Sequence, residues 1–162
     1  MRKKIISLLL ILIVILSGCG KSEKNTQNVK IYYIDSELLM LVGMPEKISS
    51  NNIQEAAEKV IRKLVGGQDF NRKIKRQIPN IKNGISVKVE NKTANVNFSS
   101  EFVEAHSEGR IAERLTVYQI VNSLTSLDGI DSVTFTINGE KCKCFKGFID
   151  MRQAFTHKEL VL

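Results

Sequence analysis

The side chains of this sequence best suited to covalent, metal or acid–base chemistry are three cysteines, Cys19, Cys142 and Cys144, and two histidines, His106 and His157. Cysteine can be acylated, oxidised or bound to a metal, and histidine can act as a base or a metal ligand. Neither histidine has a ligand partner four residues away, and the sequence contains no H-E-x-x-H motif, no G-x-S-x-G motif and no phosphate-binding glycine loop. We therefore predict no catalytic residues, no metal site and a protein that is not an enzyme.

Residues 1–18 have the layout of an export signal that ends just before Cys19. Basic residues at positions 2 to 4 precede an apolar run from 5 to 16, which is shorter than the roughly 20 residues of a membrane-spanning helix. The letters "LSGC" at 16–19 resemble the lipobox of bacterial lipoproteins, in which the signal is removed and the cysteine sulfur carries a diacylglycerol. The resemblance implies that Cys19 is the lipidation site and that its acyl chains, with no other cofactor, anchor the protein at the extracytoplasmic face of the cell membrane. A plain N-terminal membrane anchor with an incidental cysteine is the alternative.

Removal of those 18 residues from the 162 leaves 144, which suits a single domain. We divide the chain into a signal peptide (1–18), a lipid-anchored tether (19–28), a domain (29–150) and a C-terminal tail (151–162). The signal holds three of the 24 basic residues and none of the 17 acidic ones, so the mature net charge is about +4. A mild positive charge on an envelope protein favours contact with anionic lipid or wall polymer, and we expect no nucleic-acid partner.

Strictly alternating apolar and polar residues in "ISVKVE" and "ANVNFS" predict a β-hairpin with a tight turn at Asn91-Lys92. The predicted cross-strand pairs, all on one face, are Ile85–Phe98, Val87–Val96 and Val89–Ala94. Further strands are expected in "VKIYYID" and in "ELLMLVGM", the latter ending at Pro45. We predict an α+β fold, a two-layer sandwich in which a small mixed or antiparallel sheet is packed on one face by two helices.

The first of these helices has an apolar stripe from Ile53 to Leu64 and is capped by Asn52, and the second runs from about Arg110 to Leu127. One side of the second helix is polar but uncharged: Thr116, Gln119, Asn122, Ser123 and Ser126. Depletion of charge is typical of interface cores, so we predict that this side is the partner interface. An ordinary exposed helix surface is the alternative.

The last strand, "SVTFTI", runs into an Asn-Gly pair at 138–139 that predicts a second hairpin. Closing this turn would pair Phe135 with Cys142 and Val133 with Cys144. Both thiols would then join the core, since a free cysteine packs as a small apolar side chain. Metal binding and redox chemistry are the alternatives.

The most uneven charge lies in "DFNRKIKRQIPNIK", where one aspartate faces five basic residues: Arg72, Lys73, Lys75, Arg76 and Lys82. We predict a surface loop in which these five residues bind an anionic surface, either phospholipid headgroups or wall polymer. Simple solvation of the loop is the alternative. Ser99 and Ser100, which have no evident base beside them, are interpreted as helix-capping or turn residues.

Taken in order, these pieces resemble the GerMN domain of sporulation and spore-germination lipoproteins. The matching stretches are "VKIYYID", "IQEAAEKVIRKLVGG", "IP" at 78–79, "VKVENKTANVNFSSEF" and "LTVYQIVNSLTSLDGIDSVTFTINGE". The resemblance covers about residues 29–150 and implies a non-enzymatic domain, similar in fold to ring-building motifs, that takes part in envelope assembly. Many sporulation members carry two such domains, whereas this chain has room for one, and Cys142 and Cys144 are not part of the family pattern.

We therefore expect a lipid-anchored, non-enzymatic interaction module that binds one or more envelope proteins, with self-association as a further possibility. The alternative is a wall-binding accessory protein or a wall-active hydrolase whose basic loop meets anionic wall polymer. Either protein would be held at the membrane through Cys19.

Overall fold

The computed structural model describes residues 24–66, 74–75 and 78–159. In these ranges the chain forms, in order, β1 (Asn25–Asp35), β2 (Met40–Ser50), α1 (Ile53–Gly66), β3 (Ile74–Lys75), β4 (Ile85–Glu90), β5 (Thr93–Phe98), α2 (Ser100–Ala105), α3 (Arg110–Leu124) and β6 (Ser132–Ile137). The predicted α+β class is confirmed. The strands form two three-stranded sheets, with the orders β2-β1-β3 and β4-β5-β6.

The first sheet is antiparallel and consists mainly of β1 and β2, which pair along their whole lengths from Asn25–Ser50 to Asp35–Met40. β1 begins four residues before the predicted start at Val29, so it includes part of the segment assigned to the tether. β2 continues five residues beyond Pro45, where the sequence analysis places its end.

Pro45 is tolerated inside β2 because this strand lies at the edge of its sheet. Pro45 stands opposite Lys30, whose N–H points away from β2 and donates to Ser126 Oγ at 3.2 Å. The two residues therefore form a pair without mutual hydrogen bonds, and the missing N–H of proline leaves no gap in the ladder.

The second sheet has the hairpin register expected from alternation. β4 and β5 pair antiparallel with Val87 opposite Val96, and the turn residues Asn91 and Lys92 have φ of 48° and 61°, as a tight two-residue turn requires. β6 then pairs parallel to β5. The predicted register is confirmed.

Helix α1 begins as the sequence predicts, with Asn52 Oδ1 accepting the N–H of Glu55 at 2.9 Å. Its apolar side packs into the main core through Ala56, Ala57, Val60, Ile61 and Leu64, all buried. Its Gln54 amide also reaches the edge of β4, donating to Val87 O and accepting from Val89 N at 2.8 Å each. This side chain takes the place of a neighbouring strand at that edge.

The C-terminal segment places Cys142 and Cys144 differently from the prediction. The predicted Asn-Gly turn forms, but beyond the Ile137–Glu140 bridge the chain leaves β6, and Phe155 exchanges two 2.8 Å backbone hydrogen bonds with Val133 instead. The predicted facing of Cys142 with Phe135 and of Cys144 with Val133 is therefore wrong.

Both thiols are free and only half-buried in this arrangement. Cys142 packs against the main core, and burial raises its pKa. Met151 is buried, so part of the segment assigned to a C-terminal tail contributes to the core together with Phe155.

Candidate functional site

The uncharged side of α3 is buried within the domain, so the prediction that it is an exposed partner interface is wrong. Four of its five residues are at most 1% exposed: Thr116, Gln119, Asn122 and Ser123. The fifth, Ser126, is half-buried and bonded to the backbone of β1. The lack of charge reflects burial against the protein's own sheet, since a charged side chain there would lose its solvation.

Three of these side chains, Asn122, Ser123 and Ser126, satisfy backbone groups that no strand pairs, whereas the buried amide of Gln119 has no hydrogen-bond partner among the described residues. Ser123 Oγ accepts the N–H of Tyr32 at 2.9 Å, as Ser126 Oγ accepts that of Lys30. Asn122 binds the C-terminal segment through both amide atoms, donating to Lys158 O at 2.9 Å and accepting from Lys158 N at 3.0 Å. Helix α3 thus closes one edge of β1 and holds the end of the chain.

A buried histidine and a buried glutamate lie at the other end of α3. His106 is 2% exposed, and its Nε2 lies 2.8 Å from Thr116 Oγ1. Glu113 is fully buried and accepts the N–H groups of Phe148 and Ile149 at 3.1 and 2.7 Å. Both side chains are shielded from solvent and bonded within the chain, which is the geometry of structural groups. The burial of His106 was not predicted from the sequence, because it depends on tertiary contacts of the ring with Phe102, Phe145 and Thr116.

Burial lowers the pKa of His106 below its usual value of 6.5, which predicts a loss of stability in mild acid. The unfolded chain binds this proton more tightly than the folded one. The contribution of the neutral ring is therefore complete above about pH 6.5 and is lost as the pH falls through the folded pKa. We expect urea midpoints to fall more between pH 7 and pH 5.5 for the native protein than for His106→Gln. His157→Gln, at the exposed histidine, is the control and should show the same fall in urea midpoint as the native protein. An equal fall in all three proteins would contradict the assignment of the acid sensitivity to His106.

The residues predicted to bind an anionic surface are placed only in part. Arg72, Lys73 and Arg76 lie outside the described residues, as does the predicted lipidation site Cys19. Lys75 belongs to β3, whose backbone pairs with the end of β1, and Lys82 is exposed in the turn before β4. Ser99, interpreted as a capping residue, does cap α2, with its Oγ accepting the N–H of Phe102 at 3.1 Å.

A groove with basic walls lies between β2 and α1. It is open to solvent, has a volume of about 540 Å³ and is lined by Lys47, Ile48, Ser49, Lys59, Arg62, Lys63 and Gly66. Three of its cations already pair with glutamates of α1 or β2: Lys59 with Glu55, Arg62 with Glu58 and Lys63 with Glu46. Among the described residues Lys47 has no carboxylate within 4 Å. The groove can hold an anion, with Lys47 as its uncommitted charge.

This groove was not predicted from the sequence. The available signal was the spacing of Lys59 and Lys63, which places both on one side of α1. Only the packing of α1 against β2 determines that this side of the helix faces Lys47.

Within residues 24–66, 74–75 and 78–159 no group of three or more histidine, cysteine or acidic side chains is arranged to hold a metal ion. None of the helices in those ranges is long and apolar enough to cross a membrane.

A family model described as "Germane: Sporulation and spore germination" matches residues 30–143. Among solved structures, a candidate lipoprotein from Clostridium perfringens has a TM-score of 0.58 at 14% identity, with 83% of this chain and 88% of that chain covered. The first GerMN domain of the sporulation protein GerM from Bacillus subtilis has a TM-score of 0.59 at 19% identity, covering 78% of this chain and 94% of that domain.

The tandem GerMN domains of the same Bacillus subtilis protein also give a TM-score of 0.59 at 19% identity, covering 80% of this chain but 45% of theirs. No curated protein gives a significant match. At these identities the structural likeness shows the fold, whereas the family model matches the sequence itself over most of its length.

Proposed function

Because this chain belongs to the Germane family of sporulation and spore germination proteins, we propose that it is a lipid-anchored, non-enzymatic module that assembles or stabilises a protein complex of the cell envelope. The observation that carries the proposal is the family match over residues 30–143, which the GerMN-like fold supports. The module would act at the extracytoplasmic face of the membrane, with Cys19 as its lipid attachment and envelope proteins, or further copies of itself, as its partners.

The buried polar groups support a binding role over a catalytic one. His106 and Glu113 are the described side chains whose burial most resembles that of tuned acid–base groups, yet both are shielded from solvent, and His106 through Nε2 and Glu113 through both oxygens bond within the chain. A general acid or base has to reach the substrate, within hydrogen-bond distance or through one water. Both side chains instead stabilise the fold around α3.

A second candidate function is binding of anionic wall polymer, which would make the protein a wall-binding accessory or a wall-active hydrolase. The observation in its favour is the groove with Lys47, Lys59, Arg62 and Lys63 on its walls. Sedimentation with purified cell wall separates the two functions. Retention that disappears as salt is raised favours wall binding, because exposed charges are screened over about 10 Å at 0.1 M salt.

Replacing Cys19 with alanine should abolish lipid attachment. We expect the native protein to stay in the membrane fraction and to show an intact mass above that of residues 19–162, because of its acyl chains. The Cys19→Ala protein should lose the added mass and either keep residues 1–18 or appear outside the membrane fraction.

Cys142→Ala is the matched control, since it removes another thiol and should leave mass and fractionation unchanged apart from the substitution. An unmodified native protein would contradict the lipid anchor.

In a spore-forming host, deletion of the gene should reduce the number of heat-resistant or germinating spores, and normal counts would contradict the proposed function.

A further inference from the structure

Four large apolar side chains stand out among the described residues because they are exposed to solvent: Leu38 (66%), Leu39 (41%), Ile111 (46%) and Phe148 (53%). Single exposed apolar residues are common, but exposed ones gathered at one place mark binding surfaces. The arrangement of β1 and α3 determines where these four lie.

All four lie towards the same end of the domain. Ser126 contacts Lys30, Ser123 contacts Tyr32, and Leu115 packs with Ile34, so α3 runs antiparallel to β1. The start of α3, with Ile111, is therefore beside the end of β1. Leu38 and Leu39 form the turn that follows this same end of β1. Phe148 joins the group because its N–H bonds Glu113 in the first turn of α3.

This end lies away from the expected membrane attachment. β1 begins at Asn25, six residues after Cys19, and six extended residues reach at most about 20 Å. β1 has 11 residues, or about 35 Å of strand, between that tether and the turn that carries Leu38. The exposed apolar side chains therefore lie at the opposite end of β1 from the tether.

Phe148 is held in its exposed position by the structure beneath it. The fully buried Glu113 carboxylate binds the N–H groups of Phe148 and Ile149, and the preceding Gly147 has φ of +114°, which other residues rarely adopt. The Arg110 guanidinium lies over the phenyl ring, 5.7 Å from its centre. A ring fixed in this way loses little conformational entropy when a partner covers it.

The charge around the ring is positive and unpaired. Arg110 and Arg114 are one turn apart on α3, and neither forms an ion pair among the described residues. The acidic residue between them, Glu113, points inward to its buried bonds. Arginine with aromatic and aliphatic side chains is the composition of interface cores, and guanidinium groups bind carboxylates through paired hydrogen bonds.

We propose that the patch of Arg110, Ile111, Arg114 and Phe148 binds an acidic segment of another envelope protein, with carboxylates on the two arginines and an apolar side chain against Phe148. This inference rests on the proposed function and specifies the chemistry of its partner. The patch lies at the opposite end of β1 from the tether, and an exposed ring beside two unpaired guanidinium groups suits a protein segment that carries both carboxylates and an apolar side chain.

The test uses the full lipidated protein in nanodiscs of zwitterionic phosphatidylcholine and, as its probe, a displayed library of random dodecapeptides. We expect the selected peptides to contain at least two carboxylates and an aromatic or aliphatic residue. Their affinity should fall at least tenfold for Arg110→Ala/Arg114→Ala and for Phe148→Ala. Arg152→Ala, which removes an exposed arginine paired with Asp150, is the matched control and should bind as the native protein does.

Selected peptides without acidic residues, or equal affinity for all variants, would overturn the proposal. So would two other results: patch-dependent binding to vesicles with 30% phosphatidylglycerol, which would make the patch a lipid surface, or patch-dependent self-association in light scattering. Folding of each variant is checked by its thermal transition. In cells, the patch variants should stay in the membrane fraction and reproduce the deletion phenotype. A deletion without phenotype would overturn the proposed function, while the peptide selection would still decide the chemistry of the patch.

Discussion

Replacing Ser123 with glutamate is expected to destabilise the domain by about 4 kcal/mol or more, a large share of the roughly 5 to 15 kcal/mol that stabilises a typical domain. Ser123 is fully buried, with its hydroxyl between the N–H of Tyr32 and the carbonyl of Gln119 at 2.9 and 2.7 Å. A carboxylate in this position would lack a counter-ion and would repel the carbonyl. Thermal denaturation followed by circular dichroism should show a fall in Tm of more than about 10 °C.

Two variants calibrate this result. Ser123→Ala leaves the Tyr32 N–H without its acceptor and should cost about 1 to 3 kcal/mol. Ile111→Glu adds the same charge at an exposed position of the same helix and should change stability by about 0.5 kcal/mol or less. A Ser123→Glu protein with native Tm would mean that this side of α3 is accessible to water after all.

Replacing Phe98 with alanine should cost about 3 to 5 kcal/mol, because this ring lies at the centre of an aromatic cluster. Phe98 is fully buried at the end of β5, and the centres of Phe102, Phe145 and Phe135 lie 4.8, 5.0 and 5.4 Å from its own. The cluster joins β5 to α2, β6 and the C-terminal segment, so truncation of Phe98 removes contacts with three other parts of the chain. Urea denaturation should show a much lower midpoint with native-like cooperativity.

Phe148→Ala provides the comparison, since it makes the same change at a ring that is 53% exposed. Its main described contact is with the Arg110 guanidinium, so the expected loss is about 1 kcal/mol or less. Similar losses at the two positions would show that Phe98 does not occupy the centre of the core.

Local features of the fold could be predicted from the sequence because the interactions that create them are local. Alternation in β4 and β5 allows one register to bury the apolar face, and a shift of one residue would expose it, so Val87 lies opposite Val96 as predicted. The cap at Asn52 and the apolar stripe of α1 follow from helical spacing alone. The family could be recognised for the same reason, since its pattern consists of such runs.

Features that depend on what lies opposite a residue were decided only by the tertiary structure. Helical spacing shows that Ser123 and Ser126 share a side of α3, but not that this side meets the unpaired edge of β1, whose N–H groups need acceptors. In the same way, local spacing does not show that Val133 pairs with Phe155 and not with Cys144. A buried polar surface and a partner interface both lack charge because both exclude water, so composition alone did not separate them. The sequence by itself thus determined most of the elements, the hairpin register and the family, whereas tertiary contacts between distant segments decided which polar side chains are buried and which apolar ones are exposed.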